Sequence, residues 1–170
     1  MDQFQAPMAQ EKPPMRWELL FLLLSLLWLS REWVTIPIRI SGDSMVPTCR
    51  NGSLAIVNRL AYVFSPPKRG DVVLVRGERD LIIKRIVGLP GEKVGLSNGA
   101  LTVNGRLLPE PYVQFKGRDH VAPGILGHEN YLIIGDNRSG TALAVVNRRR
   151  IVGALVSLRA QAPPSFAAAP

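Results

Sequence analysis

The chain is poor in the residues that build cross-links and metal centres. Cys49 is the only cysteine among 170 residues, so an internal disulfide is excluded. Histidine occurs twice, as His120 and His128, both in a glycine-rich stretch without a cysteine or a carboxylate cluster. Such a pair makes a poor metal site and reads as two surface residues; no metal or other cofactor is expected. An internal repeat is also missing. Instead, 14 prolines and 15 glycines punctuate the sequence, which favours short strands and turns over long helices. Acidic residues are in deficit, 13 against 21 Lys and Arg, leaving a net charge of +8. The basic residues are scattered, with one tight cluster at Arg148-Arg149-Arg150. Solubility and contact with acidic lipid headgroups therefore explain the charge better than a nucleic-acid partner does.

The first apolar feature lies near the N-terminus. Residues 1–16 are polar, carry prolines and are expected to be disordered. Trp17 to Leu29 is nearly all apolar, with Leu19-Leu20-Phe21-Leu22-Leu23-Leu24 and Leu26-Leu27-Trp28-Leu29 on either side of Ser25. A bilayer needs about 20 mostly apolar residues. A spanning segment must therefore recruit residues 17–36, with Arg31 and Glu32 snorkelling at the outer interface and Trp17, Trp28 and Trp33 at interface depth. Ser30-Arg31-Glu32-Trp33-Val34 offers no small-x-small cleavage site, which favours an uncleaved transmembrane signal anchor over a removable signal peptide. The lack of a polar face disfavours a buried core helix. Lys12 and Arg16 on the short side place that end in the cytoplasm and the remainder beyond the cytoplasmic membrane.

After the anchor, strand signals dominate. Residues 34–40, 54–57, 72–76, 81–87, 101–103, 131–134 and 151–158 are short apolar or β-branched runs. Asn98-Gly99 and Asn104-Gly105 bracket Ala100-Leu101-Thr102-Val103 and predict successive hairpins. The pattern predicts a mainly β, antiparallel, barrel-like domain over residues 37–158. Residues 113–130 read as a surface excursion, and 159–170 as a flexible, low-complexity tail.

Two residues carry a chemical suggestion. Ser44 lies in Ser41-Gly42-Asp43-Ser44-Met45-Val46-Pro47-Thr48, and Lys84 in Leu81-Ile82-Ile83-Lys84-Arg85-Ile86-Val87. A serine hydroxyl needs a neighbour to accept its proton, and a lysine serves if apolar burial holds it neutral. Lys84 has such flanks, whereas a purely structural lysine there would need a partner or a snorkelling path. The Ser44 N–H is the obvious donor to a developing oxyanion.

Four blocks, Ser44-Met45-Val46-Pro47-Thr48, Lys68-Arg69-Gly70-Asp71-Val72-Val73, Lys84-Arg85-Ile86-Val87-Gly88-Leu89-Pro90-Gly91-Glu92 and Gly135-Asp136-Asn137-Arg138, follow one another in the order of a known family. In them the chain resembles the type I signal peptidases, membrane-bound serine endopeptidases that remove signal peptides with a Ser-Lys dyad. The resemblance implies Ser44 as nucleophile, Lys84 as general base and an Arg85–Asp136 pair. It also implies preprotein substrates with small residues before the cut, and the secretion machinery and membrane lipids as partners. Met45 and Pro47 are expected to shape the substrate cleft, with Ile40 and Ile83 as candidate pocket walls. Gly42 stands where many relatives place a serine hydroxyl. Thr141 stands where the family has a serine after Gly-Asp-Asn-Arg, and Leu143 and Val145 replace an aspartate and an arginine. A conjugative-transfer or pilin-processing peptidase of the same chemistry, and an anchored binding protein without activity, are the alternatives. A self-cleaving repressor shares Ser-Met but would carry a DNA-binding module in place of the apolar segment.

Overall fold

The structure is a computed structural model that describes residues 17–115, 117–139 and 143–159. The expected disorder of residues 1–16, the tail beyond Arg159 and the position of Thr141 lie outside the described residues. The chain divides into two compact units, Met1–Glu32 and Trp33–Pro170.

Helix α1 spans Trp17–Val34. Its leucine-rich sequence contains neither glycine nor proline, so nothing interrupts the hydrogen-bond ladder. From Leu19 to Trp28 its large apolar side chains are exposed on every side. The expected span to Ile36 is cut short, because the chain turns into a strand at Thr35. The 18 residues of α1 include Glu18, Arg31 and Glu32, and no helix among the described residues is long and apolar enough to cross a membrane.

The second unit holds eleven strands among the described residues. In chain order they are β1 Thr35–Arg39, β2 Leu54–Asn58, β3 Val72–Arg76, β4 Leu81–Gly88, β5 Lys93–Ser97, β6 Ala100–Val103, β7 Arg106–Leu107, β8 Val121–Ile125, β9 Asn130–Ile134, β10 Ala144–Asn147 and β11 Ile151–Arg159. Seven form one antiparallel sheet, ordered β1-β2-β11-β3-β4-β9-β10, and four form a second, ordered β7-β6-β5-β8. The mainly β, antiparallel class is as the sequence predicts. A closed barrel is not found among the described residues, where both sheets are open. Pro37 gives the reason at one end: it has no N–H to donate, so β1, paired only with β2, is restricted to an edge.

The two predicted hairpins form. Asn98-Gly99 connects β5 to β6, and Asn104-Gly105 connects β6 to β7. All four residues have positive φ, between 50° and 80°, the geometry of a type I′ turn. Inside the expected surface excursion, residues 121–125 add β8 as an edge of the small sheet. That strand is exposed throughout, so it leaves no alternation to read.

Three apolar clusters support this frame. Val73, Val75, Ile86, Tyr131, Ile133, Val146 and Ile151 fill the first, and Val87, Val94, Leu96, Leu101, Leu126, Leu132 and Ile134 the second. Ile40, Met45, Cys49 and Ala55 form the third, with Ile83 packed against it. Burying a Val, Leu or Ile contributes about 1.5–3 kcal/mol each, so the third cluster fixes the Ser41–Thr48 loop on the sheet beside β4.

Candidate active site

The loop between β1 and β2 carries Ser44. Ile40 exchanges backbone hydrogen bonds with the far side of the loop, its N–H donating to Ser53 O at 2.9 Å and its carbonyl accepting from Gly52 at 2.8 Å. Within it, Val46 N–H donates to Asp43 O and Cys49 N–H to Met45 O. Met45 is buried beneath, 1% exposed, while Ser44 stays partly open to solvent. Gly42 has a φ of +89°, and a Cβ there would meet nothing within 4 Å. Backbone conformation, not crowding, therefore favours glycine: a serine hydroxyl at this position would come with a strained backbone.

Lys84 comes from the middle of β4, opposite Val73 on β3. It and Ser44 line one cleft of about 350 Å³, together with Ile38, Ile40, Gly42, Met45, Leu81 and Ile83. Burial lowers the pKa of Lys84, and the negative charge of Asp136 opposes the shift. Of the four residues expected to shape the cleft, Met45, Ile40 and Ile83 line it, and Pro47, half-buried, does not.

Arg85, the next residue, is treated in the opposite way. Its Nε and Nη2 donate to the two oxygens of Asp136 at 2.8 and 2.6 Å, the expected pairing. Its Nη1 donates to Gly70 O at 2.7 Å, Nη2 also reaches the Thr48 hydroxyl at 3.2 Å, and its guanidinium lies 4.1 Å from the centroid of the Tyr112 ring. Asp136 is fully buried and accepts from the Thr48 hydroxyl as well. The network continues through Tyr112, whose hydroxyl donates to Glu110 at 2.8 Å, to Arg138, which pairs with Glu110 and donates to Gly135 O.

Asn137 closes the site. Its N–H donates to Ser44 O at 3.0 Å and its side-chain amide to Asp43 O at 3.2 Å. The Gly-Asp-Asn-Arg segment thus grips the Ser44 loop at three points, through Asn137 at Asp43 and Ser44 and through Asp136 at Thr48. Thr48, Asn137 and Arg138 lie within the four sequence blocks without any local sign of these roles, and Glu110 and Tyr112 carry no local signal at all. The other charges of these blocks brace turns. Arg69 pairs with Glu92, and Asp71 accepts from the Tyr62 hydroxyl and the Lys68 N–H. Among the described residues no cluster of side chains could hold a metal ion.

With this geometry in view, the model of the family described as signal peptidase, peptidase S26, matches residues 15–154. The chain belongs to that family. It is 30% identical over 162 residues to signal peptidase I S of Bacillus subtilis (strain 168), covering 85% of this chain and 88% of that one. Signal peptidase I T of the same organism is 32% identical over 149 residues, covering 78% and 76%. A crystal structure of a signal peptidase I from Enterococcus faecalis V583 aligns with a TM-score of 0.46 at 23% identity, over 54% of this chain and 98% of that one. As a family member the chain is a hydrolase, a serine peptidase that cleaves signal peptides from preproteins.

Proposed function

We propose that this signal peptidase cuts with a Ser44–Lys84 dyad. Ser44 Oγ attacks the scissile carbonyl as neutral Lys84 takes its proton; the same proton then passes to the leaving amine, leaving an acyl ester on Ser44 that water hydrolyses. The Ser44 N–H, which donates to no acceptor among the described residues, suits the oxyanion that forms at each step, a donor typically worth about 3 kcal/mol. The observation that carries this reading is the shared cleft in which burial lowers the pKa of Lys84. Ile40, Met45 and Ile83 give the cleft an apolar lining suited to small side chains of an extended preprotein. Asn137, Asp136, Arg85 and Thr48 hold the Ser44 loop against β4, and Thr141 supplies a hydroxyl to orient the Lys84 amine.

In the same reading α1 anchors the chain in the cytoplasmic membrane as a single pass, with the β-unit outside the cytoplasm beside the secretion machinery. Its exposed Leu19–Trp28 surface supports membrane contact. Two measurements test the proposal. Purified protein in detergent should cut a labelled preprotein after a small-x-small site; an intact preprotein would favour an anchored binding protein instead. The chain should also stay with membranes through carbonate extraction, and recovery in the soluble fraction would refute the anchor.

A further inference from the structure

Arg39 is a cation at the substrate cleft that the peptidase chemistry does not use. It is the last residue of β1 and lines the cleft between Ile38 and Ile40. Lys84 is the only other lining residue with an ionisable side chain, and in the proposed mechanism it acts as a neutral amine. Asp43 belongs to the same loop as Ser44 but does not line the cleft. The Arg39 guanidinium has no hydrogen bond or ion pair among the described residues. Its donors are therefore open to a ligand.

The strand decides what Arg39 faces. In an antiparallel pair, alternate residues exchange both backbone hydrogen bonds with the partner strand, and the residues between them point their N–H and carbonyl away from it. Ile40 bonds toward β2, through Ser53 O at 2.9 Å and the Gly52 N–H at 2.8 Å, and Val34 O accepts from the Arg59 N–H at 2.8 Å. The even-numbered residues of this stretch thus face β2. The backbone of Arg39 points to the opposite edge of β1, which pairs with no strand among the described residues and where an extended peptide can add.

Side chains alternate in the same way. Ile38 is half-buried and Ile40 is 3% exposed, whereas Arg39 between them is exposed. An added substrate strand alternates too, and side chains paired across two strands share a face. When the two small residues of a small-x-small site turn into the apolar lining with Ile38 and Ile40, the residue x between them turns to the face of Arg39.

We infer that Arg39 determines specificity at x, favouring a carboxylate side chain there over a cationic one. The inference rests on the reading of the cleft as the place of an extended small-x-small segment. Its contribution is that of an exposed charge pair, so it ranks substrates without deciding whether they are cut.

The test uses the full chain in a non-ionic detergent with peptides that carry one Ala-x-Ala site and differ only at x, as Asp, Ala or Lys. One charge gains about two- to fivefold and the other loses as much, so at low salt the parent's kcat/KM for Asp should exceed that for Lys by about four- to twenty-fivefold, mainly through KM. Arg39→Gln should bring this ratio close to one and Arg39→Glu should reverse it, and about 0.5 M salt should shrink it in the parent. Because each ratio is taken within one variant, a general change in activity cancels. The same ratio is read without cutting, as Kd values of the labelled peptides for the Ser44→Ala chain with and without Arg39→Glu. Peptides that stay intact with the parent but bind in the order Asp, Ala, Lys would defeat the dyad and uphold Arg39. A cut after Ala-Ala-Ala with equal kcat/KM for Asp and Lys, or a preference for Asp that survives Arg39→Glu, would overturn the role of Arg39 and leave the dyad standing.

Discussion

Lys84 and Arg85 are adjacent on β4, yet the two regions they enter treat a cation in opposite ways. Successive residues of a strand point to opposite sides. Lys84 lines an apolar cleft in which burial lowers its pKa. Arg85 enters a region where a buried carboxylate, a carbonyl, a hydroxyl and an aromatic ring satisfy it. A reactive amine and a structural cation can therefore stand side by side, because what each does is set by its partners and not by its charge.

The largest expected effect is on the reactive side alone. Ser44→Ala and Lys84→Met should each lower the preprotein cleavage rate by about 10⁴- to 10⁶-fold while circular dichroism stays that of the parent. Measurable turnover in either variant would end the dyad assignment.

On the structural side, Arg85→Met leaves Asp136 buried without its counter-ion, a loss of about 3–5 kcal/mol to be read from urea unfolding. A change below 1 kcal/mol would mean that Thr48 alone satisfies the carboxylate and that the contrast is weaker than the geometry suggests.

A smaller effect should come from Thr141. Thr141→Val removes the hydroxyl proposed to orient Lys84 and should slow cleavage by roughly ten- to a hundredfold, whereas Thr141→Ser keeps most of the rate. Equal rates for Thr141→Val and the parent would show that the amine is positioned by other groups.

The smallest effect runs the other way. Lys84→Met removes a cation that burial disfavours and should stabilise the fold at neutral pH by about 0.5–2 kcal/mol, opposite in sign to Arg85→Met. The pH dependence follows from the same cause. The folded pKa of Lys84 lies below its ordinary value, so between the two the unfolded chain binds more protons, and stability rises with pH across that window. Lys84→Met should flatten this slope. Activity, which needs the neutral amine, should fall as pH drops through the lowered pKa; a pH-independent cleavage rate there would exclude a lysine base.

How legible these regions are from sequence differs as much as their chemistry. Lys84 could be picked out because its neighbours in the chain are apolar, and the same local signal marks seven of the strands. Ser44 stood out through the motif around it, and Asp136 as the partner of Arg85 through the last of the four blocks. Tyr112 and Glu110 could not be found, since what matters about them is a contact with residues far along the chain. The exposed β8 and the two-residue β7 lack a periodic pattern for the same reason that they lack burial, and β10, four residues long with Val146 alone buried, is too short to show one. The barrel-like detail is not confirmed, because strand count and alternation say nothing about which edges meet.

By itself, then, the sequence determined the strands with alternating or apolar runs, the Asn-Gly hairpins, the apolar N-terminal helix and the candidate nucleophile and base, all of which depend on neighbours within a few residues. The tertiary structure decided the rest: the open seven-stranded sheet, the burial of Asp136, the grip of Asn137 on the Ser44 loop and the place of Arg39 at the cleft. Those depend on which distant segments share a surface, and it is the withdrawal of water by those segments that makes Lys84 a different kind of cation from Arg85.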